Sequence, residues 1–271
     1  GQAPALQSLP TPAPAPDEVQ VRIEACGLHF ADMLMIDGKY QERPDPPVTL
    51  GMELAGTITG TGSDVTEFSI GDRVAVFSGQ GGLAEAGCFP AARCTLLPPD
   101  MPATDAAAFQ VAFGTSHVAL THKARLRSGE RLVVTGAAGG VGLTAVQIGK
   151  LLGAEVIAIA RGAAKLAIAK AAGADHVIDS ESDDIRGQIK ALGGADVVYD
   201  AVGGALFDAC LRATNPDGRV IVIGFASGEL PKIKANYLLV KNLSVIGFYW
   251  GGYLNFAPQV LTSSLAQLFE W

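Results

Sequence analysis

The chain is poor in charge. Lys and Arg number 20 and Asp and Glu 27 among 271 residues, 17% in all, which leaves a net charge of −7. No basic stripe and no interleaving of basic with aromatic residues runs through it, which argues against nucleic acid as a partner. Its four cysteines, Cys26, Cys88, Cys94 and Cys210, form no C-x-x-C pair. That excludes a disulfide framework and reads as reduced thiols in a cytoplasmic protein. No apolar run approaches the roughly 20 residues of a membrane span, and no secretory leader is visible. An initiator Met is missing, and residues 259–271 read as a helix that is still running. Both ends are therefore expected to be incomplete.

What is abundant is glycine, with 33 residues, and apolar side chains, at 49%. At this length the composition suits a two-domain α/β protein with many tight turns. One stretch organises the rest. Residues 131–135 are an apolar, β-branched run, followed at once by Gly136-Ala-Ala-Gly139-Gly140-Val141-Gly142. Residues 143–152 then place apolar side chains close to helical spacing, and 155–160 form a second β-branched run. Strand, glycine turn, helix and strand make one βαβ unit, with the turn where a dinucleotide's pyrophosphate sits on a helix N-terminus. The positions of the G-x-G-x-x-G pattern are held by Ala137, Gly139 and Gly142. The context between strand and helix gives the pattern its meaning, since glycine-rich strings also serve ordinary turns.

Ahead of this unit, residues 1–16 are proline-rich and predict an extended lead-in. Residues 18–25 alternate as a half-buried strand, 30–36 form a short helix, and 44–47 a rigid proline turn. Strands at 53–60 and 72–77, a loop at 79–82 and extended chain over 85–97 complete an irregular β-rich, barrel-like domain to about residue 100. Residues 104–124 turn helical. Beyond the first βαβ unit, helices at 163–172, 184–192 and 206–214 alternate with strands at 175–179, 195–200, 218–224 and 243–250. Six strands separated by helical segments predict a doubly wound parallel sheet. The expected division is 1–103, completed by 251–271, and 104–250.

The end of the second parallel strand usually carries an acid for the ribose of NAD. Here Ala160-Arg161-Gly162 stands there, with Lys165 one turn further, and no carboxylate is expected at that corner. Two cations at that corner suit a 2′-phosphate and favour NADPH as cofactor. The loops after the fourth and fifth strands, 200–204 and 224–228, should border the nucleotide, with Gly224 and Phe225 on its nicotinamide half.

Taken in order, several segments resemble the medium-chain dehydrogenase/reductase superfamily, and within it the zinc-independent, zeta-crystallin-like quinone oxidoreductases. They are the strand at 18–23, Ala25-Cys-Gly-Leu-His-Phe-Ala-Asp32, Gly51-Met52-Glu53, Gly71-Asp-Arg-Val-Ala75, Gly114-Thr115 and the glycine turn. The resemblance spans nearly the whole chain. It implies a GroES-like catalytic domain, a Rossmann nucleotide domain and an active site between them. It also implies a substrate-lining Tyr40, Thr115 facing the nicotinamide, pyrophosphate contacts from Gly139, Gly140, Val141 and Gly142, and Ser180 near the adenine ribose. Leu34 replaces a second pocket aromatic, while Phe248, Tyr249 and Trp250 border the nicotinamide pocket or pack.

Zinc-dependent members carry metal ligands at positions that here are His29, Met52 and Val111. One nitrogen ligand among three does not make a catalytic zinc site, so no metal is expected. His29 departs from the family's usual Asn. As a neutral ring it donates or accepts, and it titrates near neutrality, so it orients a substrate, protonates a product or packs locally. The function expected is NADPH-dependent, metal-independent reduction of quinones by hydride transfer. The alternatives are an enone or enoyl reductase of the same superfamily and a non-catalytic NADPH-binding protein. The apolar strand at 243–250 is expected to pair across a two-fold axis in a homodimer.

Overall fold

A computed structural model of the protein describes residues 4–42 and 45–271. The chain divides into two compact units, 1–111 and 112–271. The division thus falls at 111/112 rather than 103/104, and residues 251–271 group with the second unit. There the C-terminal helix buries Leu261, Leu265 and Leu268, and Ser264 Oγ lies 2.8 Å from His117 Nδ1. The expected proline turn at 44–47 begins outside the described residues.

The first unit is built on β1 (Glu18–Gly27), β2 (Glu53–Thr61), β3 (Arg73–Phe77), β4 (Ala86–Pro90) and β5 (Cys94–Leu96), with α1 (Phe30–Ile36) and α2 (Ala103–Ala107). The strands form one antiparallel sheet in the order β4-β1-β2-β3-β5. Alternation explains it. Val19, Val21, Leu54, Ile58, Val74, Val76 and Phe89 are buried together, while Arg22 and Glu24 point away and pair with each other. The other face carries only small residues at its centre, and Ala55 and Ala75 pack on Ala106 and Ala107 of α2. The chain expected as extended over 85–97 is two short strands separated by a turn of 3₁₀ helix, Ala91–Arg93.

The second unit opens with α3 (Gln110–Val118), which begins two residues before the boundary and ends in a π-helical turn, Ala119–Lys123. It continues β6 (Arg131–Thr135), α4 (Gly140–Leu151), β7 (Glu155–Ala160), α5 (Gly162–Ala171), β8 (His176–Asp179), α6 (Ile185–Ala191), β9 (Ala195–Asp200), α7 (Gly204–Ala213) and β10 (Thr214–Val222). Last come α8 (Ala235–Lys241), β11 (Ser244–Gly247), α9 (Tyr253–Phe256) and α10 (Pro258–Glu270). The sheet is parallel throughout, in the order β11-β10-β9-β6-β7-β8. Its central strands are covered on both faces, so they read as unbroken apolar runs. Val133, Ile157, Ile159 and Val198 share one core with Phe207 and Leu211 of α7.

Helix α8 and the last strand also differ from expectation. Helix α8 was not legible in its local sequence, and left-handed Asn242 ends it. The last strand stops at Gly247 rather than Trp250, because the chain turns at 250–252 and seats Trp250 against α3, where a Cβ on Gly114 would lie 2.9 Å from the indole nitrogen. Among the described residues, no helix is long and apolar enough to cross a membrane. The four cysteines are unpaired.

Candidate active site

In the second unit the glycine turn leaves β6 through Gly136, whose φ of 62° lies in the left-handed region. Ala137 is buried and its amide donates to Ile159 O (3.1 Å), which ties the turn to β7. Its N–H is therefore spent within the protein, and the donors left for an anion are those of the first turn of α4. The amides of Gly140, Val141 and Gly142 have no acceptor inside that helix. Gly139 and Gly140 are exposed, and a Cβ on Gly140 would meet nothing within 4 Å, so the approach to these amides is open. An anionic pyrophosphate fits such a cradle.

Beneath the cradle lies a buried hydroxyl cluster that sequence reading missed. Ser116 Oγ donates to Val141 O (2.8 Å) and lies 2.8 Å from Thr144 Oγ1 and 3.0 Å from the Tyr199 hydroxyl. It locks α3, α4 and β9 together directly under the turn. Thr115, its neighbour, is buried on α3.

The loops expected to border the nucleotide are brought together. Ala226 N donates to Ala201 O, Ser227 N to Val202 O, and Gly204 N to Glu229 O. Val202 reaches the glycine turn, 3.2 Å from where a Cβ on Gly136 would stand. Gly224 and Phe225 therefore stand beside the 200–204 loop. That loop is fixed by Asp200, fully buried, whose Oδ1 accepts from Thr135 Oγ1 (2.6 Å) and Oδ2 from Gly203 N (3.0 Å). Thr135 Oγ1 in turn accepts from Ala201 N. Burial pushes the Asp200 carboxyl above its ordinary range and outweighs the donors from Thr135, Gly203 and Val202.

The cationic corner differs from expectation in its carboxylates. Arg161 caps α5 and Lys165 is exposed one turn along, as expected, with Ser180 N bonded to Ala160 O. The corner is not free of carboxylates, however. Arg161 Nε lies 3.5 Å from Glu181 Oε1, and Asp179 Oδ1 accepts from Gly162 N and Glu181 N. Asp179 ends β8 and Glu181 follows it, and parallel pairing sets the end of β8 beside the end of β7.

In the first unit His29 precedes α1, and its amide donates to Asp32 Oδ2 (2.8 Å). Its ring Nε2 lies 2.7 Å from Oε1 of Glu53, a carboxylate with 0% of its side chain exposed. Glu53 Oε2 accepts from Val111 N (2.9 Å). Burial alone would lower the His29 pKa, but the hydrogen bond and charge of Glu53 and the charge of Asp32 carry it above the ordinary imidazole value. Stability from this pair is fully present below about pH 6.5 and is lost as pH rises through the raised value. Tyr40 is buried, its amide bonded to Leu34 O. Of the positions that carry zinc ligands in metal-dependent relatives, Met52 is a buried thioether and Val111 offers only its amide, already given to Glu53.

An antiparallel-sheet unit followed by a parallel sheet with an open glycine cradle defines the class of medium-chain dehydrogenases/reductases. The comparisons agree. The Alcohol dehydrogenase GroES-like domain family matches residues 15–99, and the Zinc-binding dehydrogenase family matches residues 140–268. Quinone oxidoreductase-like protein 2 homolog of Nematostella vectensis is 41% identical over 259 residues, 94% of this chain and 71% of its own length. The quinone oxidoreductase of Pseudomonas syringae pv. Tomato DC3000 superposes with a TM-score of 0.90 at 33% identity, covering 97% of this chain and 82% of that one. That of Thermus thermophilus, solved also in complex with NADPH, gives a TM-score of 0.86 at 34% identity, covering 98% and 83%. The chain belongs to the zinc-independent, quinone oxidoreductase-type group of the medium-chain dehydrogenase/reductase superfamily.

Proposed function

We propose that this protein is an NADPH-dependent reductase of quinones that works without a metal. The observation that carries the reading is the open amide cradle at the start of α4, with Arg161 and Lys165 at the neighbouring strand end. When bound, NADPH supplies a hydride from its nicotinamide ring. The chain's own part is binding and orientation. The amides of residues 140–142 hold the pyrophosphate, and Arg161 and Lys165 take the 2′-phosphate, for which Arg161 leaves Glu181. Ser180 serves the ribose, while Gly224, Phe225 and Thr115 border the nicotinamide. Tyr40 and His29 serve the substrate, whose oxygen gains charge as it is reduced.

The test is NADPH oxidation, followed optically, against 9,10-phenanthrenequinone, 1,4-benzoquinone and a simple enone, with NADH and a chelator in parallel. Quinone turnover with NADPH, indifferent to chelator, is the expected result. Turnover confined to the enone would make the protein a double-bond reductase, and NADPH binding without turnover would make it a binding protein. Arg161→Ala with Lys165→Ala should weaken NADPH about tenfold or more and leave NADH unchanged. Equal losses for both cofactors would remove the phosphate role.

We also propose a homodimer through β11. The strand lies at the sheet edge, paired with β10, and Leu239 and Val240 of the preceding α8 are 80% and 78% exposed. An uncovered edge beside exposed leucine and valine is a surface that a second copy would cover. Sedimentation equilibrium should read the mass of two chains. A single-chain mass at all concentrations would refute the pairing.

A further inference from the structure

Glu53 is a buried carboxylate that the proposed mechanism does not yet use, and the first unit is shaped around it. A Cβ on Gly27 would stand 3.0 Å from Glu53 Oε1 and 2.4 Å from Ala107 O, so the strand facing the carboxylate needs glycine there. The register that pairs Gly27 with Glu53 sets the acid beside the turn into α1. One carboxylate oxygen takes the Val111 amide, and the other has His29 Nε2 at 2.7 Å. A carboxylate stripped of water needs such partners for its oxygens. Two residues of chemistry-bearing type, 24 positions apart in sequence, are thus one unit in the fold.

We propose that Glu53 is the positioning residue for His29, and that the His29–Glu53 pair, rather than His29 alone, is the proton source of the site. This rests on the reductase reading above. The carboxylate faces Nε2 at 2.7 Å, orients the ring and favours its imidazolium form. The proton that leaves is then the one on Nδ1, on a side chain that stays 16% exposed. When substrate oxygen has gained its electron pair, the Nδ1–H bond breaks and an O–H bond forms. The neutral ring keeps Nε2–H toward Glu53 and regains its proton from water.

Among the described residues, Asp32 on α1 also acts on the ring, and Cys26 on β1 feels the charges of both Asp32 and Glu53. Asp32 spends its oxygens on the amides of His29 and Gly51, and so acts on the ring by charge. The Cys26 thiol, raised to about 11 by burial and by the charges of Asp32 and Glu53, stays neutral across the working range.

The test compares the parent chain with Glu53→Gln and His29→Asn, following the His29 ring signal by NMR titration and the pH profile of quinone turnover. Glu53→Gln keeps the shape and removes the charge. The His29 midpoint should fall by about one unit or more, and the alkaline fall in kcat/KM should move down by the same amount. His29→Asn should abolish that limb. The midpoint resonance is assigned by its loss in His29→Asn, since the chain has only four histidines. A midpoint unmoved in Glu53→Gln overturns the pairing. A midpoint that falls while the turnover limb stays overturns the proton role and leaves the reductase reading intact. Failure of the parent chain to turn over any quinone sinks the reductase reading and the proton role with it, while the NMR midpoint still reports whether Glu53 sets the charge of His29. Should Glu53→Gln fold poorly, Glu53→Asp serves. Its shorter arm should lengthen the contact and shift the limb in the same direction by less.

Discussion

Gly142→Ala is expected to lower both stability and NADPH affinity, whereas Gly140→Ala lowers affinity alone. A Cβ on Gly142 would stand 2.2 Å from Gly136 O and 2.9 Å from Ala137 Cα. Both are backbone atoms of the turn that the helix abuts, so neither has a side chain to swing away. The start of α4 must move out, at a cost of about 1–3 kcal/mol of strain. That movement also displaces the amides proposed to hold the pyrophosphate. A misplacement near 1 Å costs about a hundredfold in such an arrangement. Gly140 is two residues away and has open space where its Cβ would go. Alanine there suits the helix better than glycine by about 1 kcal/mol, so thermal stability should hold or rise. The methyl group would instead stand in the approach to the amides. Thermal unfolding and fluorescence titration with NADPH separate the two outcomes. Normal NADPH binding by Gly142→Ala would show that the cradle is not the phosphate site.

The second large effect is expected from Asp200→Asn. The carboxylate accepts from Thr135 Oγ1 on one oxygen and from Gly203 N on the other. An amide has one acceptor atom, so its NH₂ must confront one of these donors. Leaving a buried donor unmet costs about 1–3 kcal/mol, and the loop over 201–204 loses its anchor. NADPH affinity should fall with it, since this loop touches the glycine turn through Val202. The pH dependence supplies a separate signature. The Asp200 carboxyl is raised in the folded protein by burial. Its contribution to stability is therefore fully present below the ordinary carboxylate value, about 4, and is lost as pH rises through the raised value. Asp200→Asn removes that dependence, so its stability deficit should be larger in acid than at neutral pH. Denaturant unfolding at several pH values reads it. A deficit independent of pH would mean that Asp200 carries no raised pKa.

The first βαβ unit was legible because every signal in it is local. The apolar run 131–135, the glycines at 139, 140 and 142, and the helical spacing after them all lie in one short stretch of chain. Continuous apolar runs also announced a sheet covered on both faces. The small elements were harder. Helix α8 carries exposed Leu239 and Val240 on a seven-residue segment, so it lacks the amphipathic stripe that marks a helix packed on its own unit.

Within the site, residue types and positions along the chain were determined by the sequence alone. It carried the glycine turn, Arg161 and Lys165 after β7, and His29 with no thiolate or imidazole at 52 and 111. Only tertiary structure decided what those residues meet. Antiparallel pairing set Glu53 against the strand leading to His29, and the fold brought the Val111 amide, 58 residues away, to the same carboxylate. Parallel pairing of β7 with β8 put Glu181 beside Arg161, which the sequence around Arg161 does not show. The reason is physical. Strand and helix periodicity are properties of neighbours along the chain, whereas a buried charge finds its partner through sheet register, and register joins segments that share no local pattern.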